Sequence, residues 1–219
     1  MQANYVQRLR FSFRKFGPTR YIGHLDLART LERALRRANV PVAYSQGFNP
    51  RPRLQLAAAL PLGYTSDYEL ADIWLMTAVP PQAAQEQIMS RMAPGLDVQH
   101  AWEVPLSEAS LQSLTHSASY QAWLPAAADS AALSDRLQAI LAAESLVRAR
   151  RGKAYDLRPL ILSSQLEVEA DNRLRLDMEL LLQPALSGRP DELLEELGLD
   201  PLDADIHRTH IQLMAGATQ

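Results

Sequence analysis

At 219 residues, 47% apolar and 21% charged, the chain has the size and composition of a soluble globular protein of one large or two small domains. It holds no cysteine and no run approaching the roughly 18 apolar residues of a membrane span, which excludes disulfides, thiolate metal sites, a cysteine nucleophile, a cysteine-held iron–sulfur cluster and a spanning helix. The net charge of −3 hides a division, because residues 1–53 carry 11 basic and two acidic side chains and the remainder 11 basic and 23 acidic; segregation on that scale points to a polyanionic partner for one face, nucleic acid being the commonest.

The N-terminus, MQANYVQRLRFSFRK, lacks the apolar core and cleavage site of a signal peptide, so the expected compartment is the cytoplasm. Residues 5–13 alternate as a strand, with Val6, Leu9, Phe11 and Phe13 as its apolar positions. A helix follows in which Leu27, Leu31, Leu35 and Ala38 make the core stripe, while Arg29, Arg33 and Arg37, with Arg36 beside them, make a second, positive one. Asp26 suits its first turn, and the helix has to end before Pro41. Val40–Tyr44 reads as a short strand, Ser45–Arg53 as a proline-braced loop, and LQLAAALPLG as a buried strand. Tyr68–Met76 is expected as a strand, the stretch after Pro80-Pro81 as a helix, and Val98–Val104 as a strand.

Residues 105–117 are serine-rich and read as a join, after which the pattern repeats. A strand carries Tyr120, Ala122 and Leu124; a helix capped by Ser130 carries Leu133, Leu137, Ile140 and Leu141. The basic loop RARRGKAYDLRPLIL comes next, then strands over Leu166–Ala170 and Leu174–Leu182, a helix over 191–197, and a strand over His207–Leu213. His24 to Arg51 spans 27 positions and Ser130 to Arg158 spans 28. The expected class is therefore α+β, as two tandem ferredoxin-like βαββαβ units over 1–104 and 118–219, joined by 105–117.

The candidate site is cationic. Arg20, Arg29, Arg33, Arg36, Arg37, Arg51 and Arg53, with Ser45, Gln46, Phe48 and Asn49 of the first loop, offer guanidinium groups, amides and an aromatic ring for phosphates and unpaired bases. The second loop offers Arg148, Arg150, Arg151, Lys153, Tyr155, Asp156 and Arg158 at the corresponding place, and the two loops would face a common cleft if the sheets lie side by side. The plainer alternative is that Asp26 and Asp156 pair with these arginines. His24 and Asp26, two apart on a helix, do not face each other, and no triad, GxxxxGK[ST] or GxGxxG motif is present. His207 and His210 fall on opposite sides of a strand, and no metal site is expected.

The run RYIGHLDLARTLERALRRANVPVAYSQGFNPRPRLQLAAALPLG over 20–63 and the later KAYDLRPLI resemble the radical-SAM-associated domain of unknown function, which occurs fused behind a B12-binding radical SAM enzyme or as a separate chain. His24, Asp26, Arg29, Arg36, Arg37, Ser45–Pro50 and Pro52 match its first block; Lys153 and Tyr155–Pro159 match its second. The chain departs from the pattern at Arg51, where histidine is expected. The resemblance implies an accessory to a radical SAM enzyme, with S-adenosylmethionine and the iron–sulfur cluster held by that partner and no cofactor in this chain. An RNA-binding or substrate-delivery subunit is the first reading. A stand-alone RNA-modifying or RNA-processing enzyme acting through His24 or Asp26 competes with it, as does docking of the positive face on an acidic protein.

Overall fold

In the computed structural model, which describes residues 5–125, 128–150, 152–171 and 173–218, the chain is mixed α+β. It divides into two units, Met1–Thr115 with Leu213–Gln219, and His116–Gln212. Among the described residues there are five α-helices, and no helix is long and apolar enough to cross a membrane.

Alternation along β1 (Gln7–Lys15) organises unit 1. Leu9, Phe11 and Phe13 enter a core with Leu27, Leu31 and Leu35 of α1 (His24–Arg37), so the four-residue apolar period of the helix lies on the strand's greasy side. The helix stops where Asn39 takes a positive φ of 54°. The Val40 and Asn39 amides then donate to the Leu35 and Arg36 carbonyls, closing the last turn before Pro41. Residues 40–44, expected as a strand, make only isolated bridges, Val42 to Leu75 and Tyr44 to Pro52. Prolines 41, 50 and 52 supply no N–H to a ladder, which accounts for the shortfall. Of LQLAAALPLG, only β2 (Leu54–Leu56) is strand, paired antiparallel to β3 (Thr65–Leu75). After α2 (Pro81–Met89), which contributes Ala84 and Ile88 to the core, β4 (Leu96–Val104) completes the order β4-β1-β3-β2. The short α3 (Leu111–Leu114) follows.

The other face of β1 holds charge. Arg8 and Arg10 are 1% and 0% exposed, and both clasp Asp72, itself 0% exposed. Arg10 lies directly across from Asp72 in the β1–β3 ladder. The remaining guanidinium hydrogens of Arg8 reach the Glu108 and Ala109 carbonyls at 2.6 and 2.9 Å. Those of Arg10 reach the Thr218 carbonyl and the Glu108 carboxylate, each at 2.7 Å. These two arginines, counted with the basic face on sequence alone, are thus interior, and residues 108–109 and 218 serve as their cover.

Gly95 marks the tightest approach in this unit. Its φ is +91°, and a Cβ there would sit 2.5 Å from the Phe16 carbonyl oxygen and 2.9 Å from the Thr19 side chain. Gly95→Ala is therefore expected to destabilise the protein by about 1–3 kcal/mol from backbone conformation alone. The readout is the denaturant midpoint at unchanged m-value; an unaltered midpoint would refute the claim.

Unit 2 runs through β5 (Thr115–Trp123), α4 (Ser130–Ala142), β6 (Val147–Arg150), β7 (Lys153–Asp156), β8 (Ile161–Val168), β9 (Leu174–Leu181), α5 (Pro190–Glu196) and β10 (Asp205–Leu213). Its main strands take the order β10-β5-β9-β8. Asp129, not Ser130, caps α4, its carboxylate accepting from the amides of Ala131 and Ala132. The stretch expected as a basic loop is a hairpin, β6 pairing with β7 as a separate two-stranded sheet. With that hairpin, and with the cover over Arg8 and Arg10, the arrangement is more elaborate than two plain βαββαβ repeats.

Candidate nucleic-acid interface

In unit 1 the predicted residues separate into three groups. The first is the outer side of α1, where Arg29, Arg33, Arg36 and Arg37 are exposed. Arg29 pairs with Asp26 at 3.1 Å between two exposed side chains, a contact worth little in water. Arg37 donates to the Arg91 carbonyl at 2.7 Å, which holds its charge without cancelling it. Arg33 and Arg36 have no carboxylate partner among the described residues. Steps of three and four put Arg29, Arg33, Arg36 and Arg37 on one side of the helix.

The second group is the loop that follows. Its neck is closed by the Ser45 amide donating to the Arg51 carbonyl at 2.8 Å and the Arg51 amide donating to the Ser45 hydroxyl at 3.0 Å. Beyond the neck Gln46, Phe48 and Asn49 are exposed, and Phe48 has its entire ring in solvent. An aromatic ring left on a pinned loop tip has no packing role and is available to stack. The Arg51 side chain is likewise exposed.

The third group lines a cleft of about 410 Å³ beside α1. His24, at the helix start, and Arg53, just before β2, both border it, as do Glu32, Gln55, Trp74 and Gln112, none of which sequence reasoning assigned to a site. The Arg53 guanidinium lies against both Tyr5 and Trp74, 4.5 and 4.8 Å from the ring centroids, the two rings meeting edge to face. The His24 Nδ1 is buried with no hydrogen-bond partner among the described residues. Asp26 is outside this lining, on the exposed first turn. Arg20 braces the turn before the helix, its Nε donating to the Gly63 carbonyl at 2.7 Å. A signal for the cleft was present in the sequence: His24, Ala28 and Glu32 recur every four residues, a third stripe on α1.

In unit 2 three of the predicted basic residues, Arg148, Arg150 and Arg158, are engaged within the unit. Arg148 pairs with Glu195 and, at 2.6 Å, with Glu196. Arg150 is held by Glu192 at 2.6 Å and lies over the Tyr155 ring at 4.8 Å. Arg158 donates to the Leu141 carbonyl at 3.1 and 2.8 Å and to the Ile161 carbonyl at 2.9 Å. Asp156 accepts from the amides of Leu146 and Arg158, and the Leu146 N–H foremost holds its carboxyl below the usual carboxylate range. Lys153 is exposed, and Arg151 lies outside the described residues. Among the described residues no group of three or more His, Asp or Glu side chains converges as metal ligands would.

A profile described as "Uncharacterized protein conserved in bacteria (DUF2344)" matches residues 8–190. No protein of curated function matches. Of solved structures, an H/ACA ribonucleoprotein bound to a substrate RNA containing 2'-deoxyuridine is similar at 8% identity and TM-score 0.47, covering 95% of this chain and 48% of that one. A Cbf5-Nop10-Gar1 complex is similar at 8% identity and TM-score 0.48, covering 92% and 49%. The chain thus spans about half the length of these solved chains, and similarity at this level fixes no function for it.

Proposed function

This chain belongs to the DUF2344 family of uncharacterized bacterial proteins, and from that premise we propose that it is a cytoplasmic RNA-binding accessory of a radical SAM enzyme, gripping single-stranded RNA through unit 1. The observation that carries this reading is the uncancelled charge of α1: Arg33 and Arg36 stand exposed without a carboxylate partner among the described residues, whereas Arg148 and Arg150 of unit 2 are each held by glutamates. The loop beside that helix adds an exposed aromatic ring at Phe48 for an unpaired base. We read each unit as ferredoxin-like, with the strand orders given above in its favour. The radical SAM partner follows from the resemblance of residues 20–63 and 153–159; the cluster and S-adenosylmethionine belong to that partner, this chain having no cysteine to ligate iron.

The test is titration of a fluorescent single-stranded oligoribonucleotide with the full chain across a salt series. Affinity should fall steeply and log-linearly with salt, as phosphate contacts release counterions. Binding that is absent at low salt, alongside tight capture of the radical SAM protein, would move the basic face to protein docking. Chemical alteration of RNA by this chain alone would move the role to an enzyme centred on His24.

A further inference from the structure

We infer that the cleft beside α1 is a nucleobase pocket that selects guanine. This deepens the RNA-binding reading and rests on it for the source of the base. The floor is one face of α1, where His24, Ala28 and Glu32 stand four residues apart. At the helical rise, His24 and Glu32 are separated by about 12 Å, with only the small side chain of Ala28 between them. The rest of the lining is Arg53, β2, Trp74 and Gln112. A volume of about 410 Å³ accommodates a nucleoside.

Several polar groups at this cleft lack a protein partner among the described residues, as do Ser12 Oγ and Trp102 Nε1 elsewhere in unit 1, although most buried polar side chains of the unit are paired. Gln7, for comparison, bonds both the Val79 backbone and the Glu103 carboxylate, and Asp72 takes two arginines. Among the described residues, His24 Nδ1 at the cleft has no partner, and neither does the half-exposed Glu32 carboxylate or the exposed Gln112 amide. Gln55 accepts the Leu111 amide on its Oε1 at 2.9 Å, which leaves its NH2 to donate. Arg53 is already held against two aromatic rings, which lowers the side-chain entropy lost when it binds. Donors and acceptors without protein partners, lining a concave and partly apolar space, are the makings of a ligand site.

The chemistry of the set chooses among bases. An ionised carboxylate only accepts, and it can accept two parallel hydrogen bonds. Guanine alone among the four bases presents two adjacent N–H donors on its pairing edge, with a carbonyl next to them for a donor such as the Gln55 amide or Arg53. Adenine and cytosine would turn a ring nitrogen lone pair toward Glu32, and uracil would flank its single N–H with two carbonyls.

Two titrations of the full chain test this. Free guanosine, adenosine, cytidine and uridine monophosphates are compared, and so are uridine-rich oligoribonucleotides carrying one central guanosine or adenosine. Guanosine is expected to bind at least roughly tenfold tighter in both formats. Glu32→Gln, a near-isosteric change on a half-exposed helix position, should erase the preference while leaving the salt slope intact. Ala28→Leu, checked for an unchanged melt, should do the same by filling the middle of the floor. Equal binding of the four bases, or a preference untouched by both variants, overturns the pocket and leaves the RNA reading standing. Guanosine monophosphate binding abolished by Glu32→Gln, with no RNA binding, supports the pocket and retires the RNA reading. No binding of either probe overturns both.

Discussion

Asp72→Asn is expected to lower the stability of the protein by roughly 3–5 kcal/mol, the largest single effect anticipated for any substitution in this chain. Asp72 is fully buried and neutralises two guanidinium groups that are themselves 1% and 0% exposed. Asparagine keeps the shape and one acceptor but removes the charge, so Arg8 and Arg10 are left interior, side by side on one strand face, with Glu108 as their remaining carboxylate among the described residues. Guanidinium groups do not lose their proton to escape this, so the cost falls on the fold. Urea titration followed by tryptophan fluorescence is the measurement, and a midpoint within error of the parent would refute the account. Glu108 adds a pH dependence. Burial opposes its ionisation, but the Thr218 amide and the Arg10 guanidinium outweigh that and hold its carboxyl below the usual range. A depressed folded value means the stabilisation is complete above the unfolded carboxylate value and is lost as the pH falls from there through the folded one. Acid should therefore loosen the cover over Arg8 and Arg10, and Glu108→Gln should flatten that limb of the stability profile.

The second large effect is on binding. Arg33→Glu with Arg36→Glu should weaken single-stranded RNA binding by at least about tenfold at moderate salt and shallow the log–log salt slope by about 0.7 for each phosphate no longer neutralised. Both side chains are solvent-exposed, so the melt should be unchanged, and any weakening reads on the interface. Arg148→Glu supplies the contrast. It breaks pairs with Glu195 and Glu196 inside unit 2, and the expected result is reduced stability with RNA affinity per folded molecule retained. If the two variants behaved alike, the basic face of α1 would lose its special standing.

Much of the architecture was legible because it is local. The four-residue period of Leu27, Leu31 and Leu35 and the alternation of Leu9, Phe11 and Phe13 each report a neighbour in the same element, and all six residues enter the core. What escaped reading depended on distance. Arg10 finds Asp72 and Glu108 at separations of 62 and 98 residues, and composition cannot tell a solvated arginine from one that will meet a carboxylate so far along the chain. The β6–β7 hairpin was hidden for another reason: apart from Val147 and Tyr155 its residues are charged or small and none is buried, and without a buried face an alternating strand has no hydrophobic signature. The cap on α4 falls one position from the expected one because Asp129 and Ser130 are both good capping residues and only geometry decides between them. Of the site, the arginine row on α1 was visible as a spacing, whereas Trp74 and Gln112 come to the cleft from other elements of unit 1.

The cover over the two interior arginines has a consequence for biosynthesis. Arg10 and Glu108 both bond to Thr218, so the unit that the ribosome begins first is finished only once position 218 has been added and has emerged. Until then a nascent chain carries a half-built charge cage, while the whole of the middle unit, His116–Gln212, has already been synthesised. Order of maturation should thus run against order of translation, and a chain shortened before position 218 should mature its middle while leaving its beginning vulnerable to proteases.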